Sequence, residues 1–377
     1  MGKNTELVRI GLATDRRTGA LSTPIYQCAT FAHPALGEST GYDYSRTCNP
    51  TREVLEEGIA RLEGGCRGFA FSTGMAAITT LLLLFKQSDH LVVTEDLYGG
   101  TYRLLDKIFT NFGLSVSYVD TSDLRQVQDA IQDNTKAIFI ETPTNPLLKI
   151  ADIAAIADTA KQKGLLTIVD NTFMTPVLQR PLELGADIVV HSGTKYLGGH
   201  NDLLAGLVVA KDAALAEKIG FLQNGAGAVL APFDSWLLIR GLKTLGLRVE
   251  RQEQNARQLA EWLDEHPSVT KVYYPGLSTH PGHFTARKQA SGYGAMVSFL
   301  VKEQLLVEQV LKRVQVFSFA ESLGGVESLV TFPAVQTHAD IPPETRARLG
   351  IDDCLLRISV GVEDIDDLIA DLVQALS

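Results

Sequence analysis

Apolar runs and helix-like segments alternate between about Phe69 and Ala210. The apolar runs cover residues 69–72, 91–94, 115–119, 137–141, 165–170, 187–192 and 204–210. They are rich in Val, Ile and Leu without a clean two-residue alternation, which is typical of strands that are covered on both faces. Strand–helix–strand repetition of this kind predicts an α/β fold, with a mostly parallel seven-stranded sheet and helices on both sides.

The connecting segment 152–164 carries the clearest helix signals. Asp152 can cap its N-terminus, the apolar residues at 153, 156, 157 and 160 share one face, and Gly164 can end it. After about Pro232 the pattern changes. A long amphipathic stretch at 235–266 predicts one long helix, followed by strand candidates at 269–275, 295–301 and 355–361 and a helix-like segment at 363–376.

This change of pattern predicts three parts of the chain. Residues 1–45 have weak periodicity and several Pro and Gly residues, so they are expected to form an N-terminal arm. Residues 46–232 are expected to form the large ligand-binding domain, and residues 233–377 a smaller α+β domain.

Composition and charge limit the class of partner. Apolar residues make up 45% and charged residues 21% of the 377 residues, which is ordinary for a globular enzyme. The net charge of −10 argues against nucleic acid or an anionic membrane, although a small anionic ligand needs only a few local donors. The four cysteines, Cys28, Cys48, Cys66 and Cys354, form no CxxC pair. With no secretory pattern at its start and no long apolar run, the chain is expected to be a cytoplasmic protein with reduced thiols and no metal site.

Polar residues follow several of the predicted strands, at the edge where ligands bind in such sheets. A Ser-Thr-Gly turn places the amides of Gly74 and Met75 at a helix N-terminus, which suits either a phosphate or an ordinary helix cap. Asp170 ends a very apolar strand and requires a partner, either a ligand or an internal cap or ion pair. Asn145 follows another strand, and a turn-forming role is the alternative to a binding role.

Lys195 lies in a small-residue loop with Ser192 and Thr194. A solvated surface charge is one interpretation, but a desolvated lysine has a lowered pKa and can form a Schiff base. An amine, a carboxylate and a phosphate cradle at one edge suit a phosphorylated aldehyde with a basic ring nitrogen, namely pyridoxal 5′-phosphate (PLP). Tyr98 follows the second strand and is suited to stacking on the ring.

Motifs along the whole chain resemble those of the cystathionine γ-synthase, γ-lyase and β-lyase family of PLP-dependent enzymes. They are "YDYSRTCNPTR", "STGMAA", "DLYGGTYR", "ETPTNP", "VDNTF", "HSGTKYLGGH", "ESLGGVES" and "LLRISVG", and the likeness runs from about residue 6 to the C-terminus. The resemblance implies fold type I (the aspartate-aminotransferase type), small amino-acid substrates, and a homotetramer built from two active dimers.

The resemblance also implies roles for individual residues. Lys195 would bind PLP covalently and move protons, Asp170 would keep the ring nitrogen protonated, and Tyr98 would stack on the ring and assist proton transfer. The phosphate would be bound by Gly74, Met75, Ser192 and Thr194, together with Tyr44 and Arg46 of the neighbouring subunit; the substrate α-carboxylate would be bound by Asn145, Ser322 and Arg357. An arginine inside the apolar run 355–361 would be costly without an anion to meet it.

Three further positions bear on the reaction. Glu327 matches a glutamate that γ-synthases and γ-lyases carry and β-lyases commonly lack, and Asp43 and Arg103 match the distal part of the γ-enzyme pocket. The segments 199–209 and 333–342 look closest to bacterial γ-synthases. The favoured activity is therefore γ-replacement, in which an O-acyl-L-homoserine and L-cysteine give L-cystathionine; γ-lyase is the first alternative and β-lyase the second. The cysteine that follows the stacking tyrosine in methionine γ-lyases is absent, and Gly99 and Gly100 stand there.

Other classes of function fit the sequence less well. A non-catalytic PLP-fold module would not need Lys195, Asp170 and Arg357 together. No strand is followed by GxGxxG, which argues against a dinucleotide-dependent oxidoreductase. A metalloenzyme would have to use His280 and His283, which are expected to lie in a loop.

Overall fold

The structure of the chain is a computed structural model that describes residues 1–336 and 343–377. Within the segment 333–342, positions 337–342 therefore lie outside the described residues. None of the described helices is long and apolar enough to cross a membrane.

The larger sheet has the seven strands that the apolar runs predict. They are β1 (Arg67–Phe71), β2 (His90–Thr94), β3 (Ser115–Val119), β4 (Thr135–Glu141), β5 (Leu166–Asp170), β6 (Ile188–Ser192) and β7 (Gly206–Ala210). Their spatial order is β1-β7-β6-β5-β4-β2-β3, and only β7 runs antiparallel to its neighbours. The prediction of a mostly parallel sheet is confirmed.

Helices connect these strands and cover the sheet. In the described residues up to Pro232 they are α1 (Lys3–Val8), α2 (Pro50–Glu63), α3 (Gly74–Leu82), α4 (Gly99–Arg103), α5 (Leu124–Asp129), α6 (Ile153–Gln162), α7 (Thr175–Leu178) and α8 (Ala213–Ala226). A π-helical turn (Leu104–Ile108) and a 3₁₀ turn (Phe109–Phe112) extend α4. The signals of the segment 152–164 are confirmed, because Asp152 Oδ1 accepts a hydrogen bond from the Ala155 amide and Gly164 follows α6 with φ of +68°.

A second, smaller sheet forms the C-terminal part of the molecule. Its strands are β8 (Val269–Tyr273), β9 (Met296–Val301), β10 (Ser318–Phe319), β11 (Leu329–Thr331) and β12 (Leu355–Ser359), in the spatial order β10-β11-β12-β9-β8. The helices here are α9 (Pro232–Leu242), α10 (Leu245–Asp264), α11 (His283–Gln289), α12 (Gln304–Arg313), α13 (Pro343–Leu349) and α14 (Ile365–Ala375). Strands β10 and β11 are too short to give a recognisable pattern in the sequence, and the other three match their predicted positions.

The prediction of one long helix over 235–266 is wrong, because two helices, α9 and α10, meet there. At the junction the Thr244 amide bonds to the Gly241 carbonyl, a tighter three-residue step, and the Thr244 hydroxyl contacts the same oxygen at 3.3 Å. A Cβ on Gly241 would lie 2.4 Å from the Gly198 carbonyl, so α9 is packed directly against the loop that carries Lys195.

Outside helix α1, the first 49 residues are irregular, in keeping with an arm. The division at residues 45 and 232 stays a prediction. What matters for function is that the carboxyl ends of β4, β5 and β6 and the start of α3 lie at one edge of the larger sheet. The smaller sheet contributes a buried arginine, Arg357 on β12, to the same place.

Candidate active site

A cavity of about 250 Å³ lies at this edge, between the two sheets. It is lined by Thr73, Gly74, Met75, Ile78, Tyr98, Glu141, Pro143, Asn145, Asp170, Thr172, Phe173, Val190, Ser192, Thr194, Lys195, Leu204, Glu321, Ser322, Leu323 and Arg357. Ten of the fifteen residues predicted for the site are therefore brought together in one place.

Lys195 lies in the turn that follows β6, with its side chain directed into the cavity. Its Nζ donates a hydrogen bond to Ser322 Oγ at 2.8 Å. Burial, and then the positive charge of Arg357, lower the pKa of Lys195 to about 8, while Glu321 opposes this change. The neutral form of the amine, which a nucleophile or a base requires, is therefore more accessible near physiological pH than in an ordinary lysine.

Asp170 ends β5 at the base of the cavity. Its Oδ1 accepts a hydrogen bond from the Thr172 amide at 3.0 Å, and the Thr172 hydroxyl in turn accepts one from the Ser192 amide at 2.9 Å. Burial raises the pKa of Asp170, although the Thr172 hydrogen bonds and the His191 imidazole oppose that shift. A buried carboxyl group of this kind is stabilised by a cation or an N–H donor placed against it.

The start of helix α3 closes one end of the cavity. Thr73 caps the helix by accepting a hydrogen bond from the Ala76 amide at 2.9 Å, whereas the amides of Gly74 and Met75 have no acceptor within the helix. A Cβ on Gly74 would lie 3.1 Å from Ser192 Cβ, a tight contact, so glycine favours this close approach. The positive end of the helix dipole and the nearby hydroxyl form a cradle that suits a phosphate.

Thr194 also lines the cavity, but its hydroxyl already has partners. It donates to the Ala205 carbonyl at 3.3 Å and accepts from the Ala205 amide at 3.0 Å. To donate to a phosphate, the Thr194 hydroxyl has to give up its 3.3 Å hydrogen bond to the Ala205 carbonyl.

Tyr98 stands at the mouth of the cavity and is 43% exposed. Its backbone amide donates to Glu141 Oε2 at 2.9 Å. A Cβ on Gly100 would lie 2.4 Å from the Tyr98 ring and 3.1 Å from Met75 Sδ, so the small residue lets the ring lie close to helix α3. The exposed aromatic face is available to stack on a planar ligand.

Arg357 is 1% exposed and its described partners are neutral oxygens. It donates to Asn145 Oδ1 at 2.6 Å, to the Ser322 carbonyl at 3.2 Å and to Thr331 Oγ1 at 3.3 Å, while its buried Nε has no hydrogen-bond partner in the described residues. Burial lowers the pKa of Arg357 to about 10. A buried guanidinium held by neutral groups is suited to an anionic ligand such as a carboxylate.

Ser322 is held in a conformation that L-residues rarely adopt, with φ of +105°. This conformation lets Ser322 present its hydroxyl to Lys195 and its carbonyl to Arg357 at the same time. Backbone strain of this kind is commonly found at functional sites.

The remaining five predicted residues do not line this cavity. Tyr44 and Arg46 are exposed on the arm side, where the Arg46 guanidinium lies 5.6 Å from the Tyr44 ring centroid and donates to the Asn224 carbonyl at 2.6 Å. Asp43 is exposed, with its Oδ1 3.4 Å from His33 Nε2. Arg103, at the end of helix α4, is also exposed.

Glu327 is exposed as well, and it lies near a second, more open cavity of about 650 Å³ that adjoins the first. Its Oε2 accepts a hydrogen bond from Asn201, which lines this second cavity. The two cavities share Thr194, Leu204, Glu321 and Ser322. We call the larger one the outer cavity and the one around Lys195 the inner cavity.

Ten of the twenty residues that line the inner cavity are not among the predicted ones, and the polar residues in this group are Thr73, Glu141, Thr172 and Glu321. Glu141 ends the apolar strand β4 just as Asp170 ends β5, so the sequence shows a carboxyl group after an apolar run in both places. Thr172 and Glu321 are each adjacent to a motif residue, but nothing in their own pattern marks them.

The histidines considered for a metal site hold a loop instead. The Gly282 amide donates to His280 Nδ1 at 3.0 Å, and burial lowers the pKa of His280 to about 4. His283 Nδ1 lies 2.8 Å from the Pro275 carbonyl. Over residues 1–336 and 343–377 no group of three or more His, Cys, Asp or Glu side chains is arranged to hold a metal ion.

The residues of the inner cavity fit a phosphorylated aldehyde with a basic ring. They supply a buried amine of lowered pKa, a buried carboxyl group of raised pKa, and a helix start with a glycine where the backbone comes close. Together with the sheet order, this defines a PLP-dependent enzyme of fold type I. The chain belongs to the Cys/Met metabolism PLP-dependent enzyme family, whose model matches residues 4–377.

Relatives with different activities are about equally similar to this chain. A cystathionine gamma-lyase of Bacillus subtilis is 54% identical, over 100% of this chain and 99% of its own. A cystathionine beta-lyase of Lactococcus lactis is 53% identical (99% and 98%), and a cystathionine gamma-synthase of Haemophilus influenzae is 52% identical (99% and 97%). The chain is therefore a trans-sulfuration enzyme of this family, and overall identity does not separate the three reactions.

A solved structure shows the same fold. The cystathionine gamma-lyase from Lactobacillus plantarum complexed with L-serine has a TM-score of 0.97 and 50% identity, covering 100% of this chain and 98% of that one. At this similarity the two chains share the arrangement of both sheets.

Proposed function

We propose that the inner cavity binds PLP in the way the sequence predicts. Lys195 holds the aldehyde carbon, Asp170 meets the ring nitrogen and Tyr98 covers the ring. The amides of Gly74 and Met75 bind the phosphate together with the hydroxyls of Ser192 and Thr194. When bound, PLP supplies an electron sink that lowers the energy of a carbanion at the substrate α-carbon.

In this proposal Lys195 Nζ moves the protons of the reaction. The amine is buried, its pKa is lowered to about 8, and the Ser322 hydroxyl lies 2.8 Å away to hold it between transfers. A base with a pKa close to the working pH is the most effective one for such transfers. Chemistry at the γ-carbon requires two proton removals, from the α- and β-carbons, and one mobile amine can serve both.

Arg357 orients the substrate by binding its α-carboxylate. Two of its nitrogens point to Asn145 and Ser322, so these three residues form one anion site above Lys195. A bidentate contact would fix the α-carbon relative to the amine.

We further propose γ-replacement, with an O-acyl-L-homoserine and L-cysteine giving L-cystathionine, as the main reaction. The observation that supports it is the outer cavity, which adjoins the inner one through Ser322 and Glu321 and has Glu327 at its edge. It offers room for a second amino acid beyond the γ-carbon. Asp43 and Arg103 would belong to this distal region when the chain is assembled.

Cystathionine γ-lyase is the second candidate, favoured by the 54% identity to the Bacillus subtilis enzyme of that name. The same outer cavity would then hold the distal half of cystathionine. A β-lyase is the third, since relatives of that name are 53% identical.

A product assay on the purified holoenzyme separates the three reactions. Formation of cystathionine from an O-acylhomoserine and cysteine, at a higher kcat/KM than any cystathionine cleavage, is the expected result. Release of cysteine and 2-oxobutyrate from cystathionine as the faster reaction would instead establish the γ-lyase, and homocysteine with pyruvate the β-lyase.

Assembly is part of the proposal. Tyr44 and Arg46 are exposed and away from their own inner cavity, which supports a role in completing the phosphate site of a neighbouring subunit. Each active unit would then be a dimer, and two such dimers would form the homotetramer.

A further inference from the structure

Glu141 is a buried carboxyl group in the inner cavity that neither PLP binding nor the proposed reaction uses. It ends β4, is 6% exposed, and accepts a hydrogen bond from the Tyr98 amide at 2.9 Å. Glu141 and Asp170 are paired residues of neighbouring parallel strands, so they lie on the same face with backbones about 4.8 Å apart. Asp96, which is also fully buried, is close enough to act on Glu141. Three carboxyl groups thus meet at the edge of the sheet.

The surroundings of Glu141 do not favour an anion. Burial and the charges of Asp170 and Asp96 raise the pKa of Glu141 well above its ordinary value, against the Tyr98 amide and the Arg357 guanidinium. Within the described residues no basic side chain forms an ion pair with Glu141, and the charged groups that share its cavity are Asp170, Lys195, Glu321 and Arg357. Carboxyl groups this close cannot all ionise without a large cost.

We propose that Glu141 is a positioning residue, a neutral carboxylic acid that holds the Tyr98 amide and leaves Asp170 as the only anion against the cofactor ring. This inference rests on the proposed function, since Tyr98 and Asp170 bear on catalysis only if the cavity binds PLP. A neutral acid keeps a carbonyl oxygen for the Tyr98 amide. It also removes the repulsion that a second anion would exert on Asp170.

The first test uses the apoenzyme and does not depend on the cofactor. Between the ordinary pKa of Glu141 and its raised one, the folded state binds more protons than the unfolded state, so stability falls as pH rises through that window. Thermal denaturation from pH 5 to 9 should therefore show wild type losing stability relative to Glu141→Gln. A difference between the two that does not change with pH overturns the proposal.

Glu95→Gln is the matched control for that measurement. Glu95 lies three residues before Tyr98, but its carboxylate pairs with Arg348 at 2.7 Å and with Lys149 at 3.4 Å. Removing this charge should lower stability at pH 8 instead of raising it. If Glu141→Gln behaves like Glu95→Gln, then Glu141 is an anion and the proposal is overturned.

The second test is a titration of each apoenzyme with PLP, followed by absorbance and circular dichroism of the bound chromophore. Glu141→Ala should weaken PLP binding about 10-fold because the Tyr98 loop loses its anchor, and Glu141→Gln should restore the affinity to within about 3-fold of wild type. Equal losses in both variants, or no loss in Glu141→Ala, contradict the positioning role. If Asp170→Asn and Lys195→Ala bind PLP as wild type does, it is the proposed function that fails.

Discussion

The inner and outer cavities are built in different ways. Around Lys195 several polar side chains are held by hydrogen bonds within one chain, as with Lys195 and Ser322, and the buried Arg357 and Asn145. The residues proposed for the outer end, Asp43, Arg103 and Glu327, are exposed, and none of them lines the inner cavity. Within the described residues the inner cavity is formed by side chains and amides of a single chain, while the residues proposed for the outer end are exposed.

This difference between the cavities suggests which residues serve the chemistry common to the family and which ones select the reaction. Relatives that carry out three reactions are about equally similar to this chain. In our proposal, the chemistry common to all three reactions uses the buried amine of Lys195, the carboxyl group of Asp170 and the guanidinium of Arg357. The choice of carbon and of second substrate is expected to lie in the outer residues, because they do not line the cavity around Lys195.

Removing the amine should have the largest effect. Lys195→Ala is expected to lower turnover by at least about 10³-fold, because it removes the buried amine whose lowered pKa suits it to move the protons. The variant should also lose the yellow colour of the holoenzyme. Turnover close to wild type would contradict the role of the inner cavity in every reaction considered.

Changing the guanidinium should have the next largest effect. Arg357→Lys keeps the charge but loses the planar fork, so kcat/KM for every amino-acid substrate should fall about 10²-fold, mainly through KM. PLP content, measured by absorbance, should stay near wild type. A selective loss with one substrate only would place Arg357 in the outer site.

Arg46 tests whether the phosphate site crosses between subunits. Arg46→Ala should weaken PLP binding by about 10-fold, because a phosphate loses a charged donor. In oligomers mixed from Arg46→Ala and Lys195→Ala chains, sharing predicts that some sites contain neither change and activity returns. Mixtures no more active than the separate variants would mean that each chain completes its own site.

Changing Glu327 should have the smallest effect on activity, and it compares the two cavities most directly. Glu327→Gln can keep the contact with Asn201 while losing the charge, so we expect about a 3-fold to 10-fold change in KM for cysteine or cystathionine and little change in PLP binding. Glu321→Gln is the matched control, because Glu321 lines both cavities. If both variants alter PLP binding equally, the distinction between the two cavities fails.

The sequence predicted most of the fold because buried parallel strands leave long apolar runs. All seven strands of the larger sheet were found in this way, whereas β10 and β11, of two and three residues, were not. The break at Thr244 was missed because both halves are amphipathic and no proline or terminal glycine separates them.

A site residue can be predicted from the sequence where a charged side chain lies within an apolar strand. Asp170 and Arg357 are charged residues in apolar strands, which marks them in the sequence, and Glu141 at the end of β4 carries the same mark. Asp43, Tyr44 and Arg46 lie at the end of the arm or directly after it, in a stretch of weak pattern, and their proposed contacts with a second chain leave no periodic signal in the sequence.

The most direct test of the inner cavity follows Lys195 itself. Apoenzyme is mixed with PLP at pH values from 6 to 10, the product is trapped by borohydride reduction, and peptide mass spectrometry identifies the labelled lysine. We predict that Lys195 carries the label and that the initial rate of labelling rises with pH to a midpoint near 8, because burial lowers the pKa of this amine from 10.5 to about 8. Label on another lysine, or a rate that rises only near the ordinary lysine pKa, would contradict the assignment of Lys195 as the reactive amine.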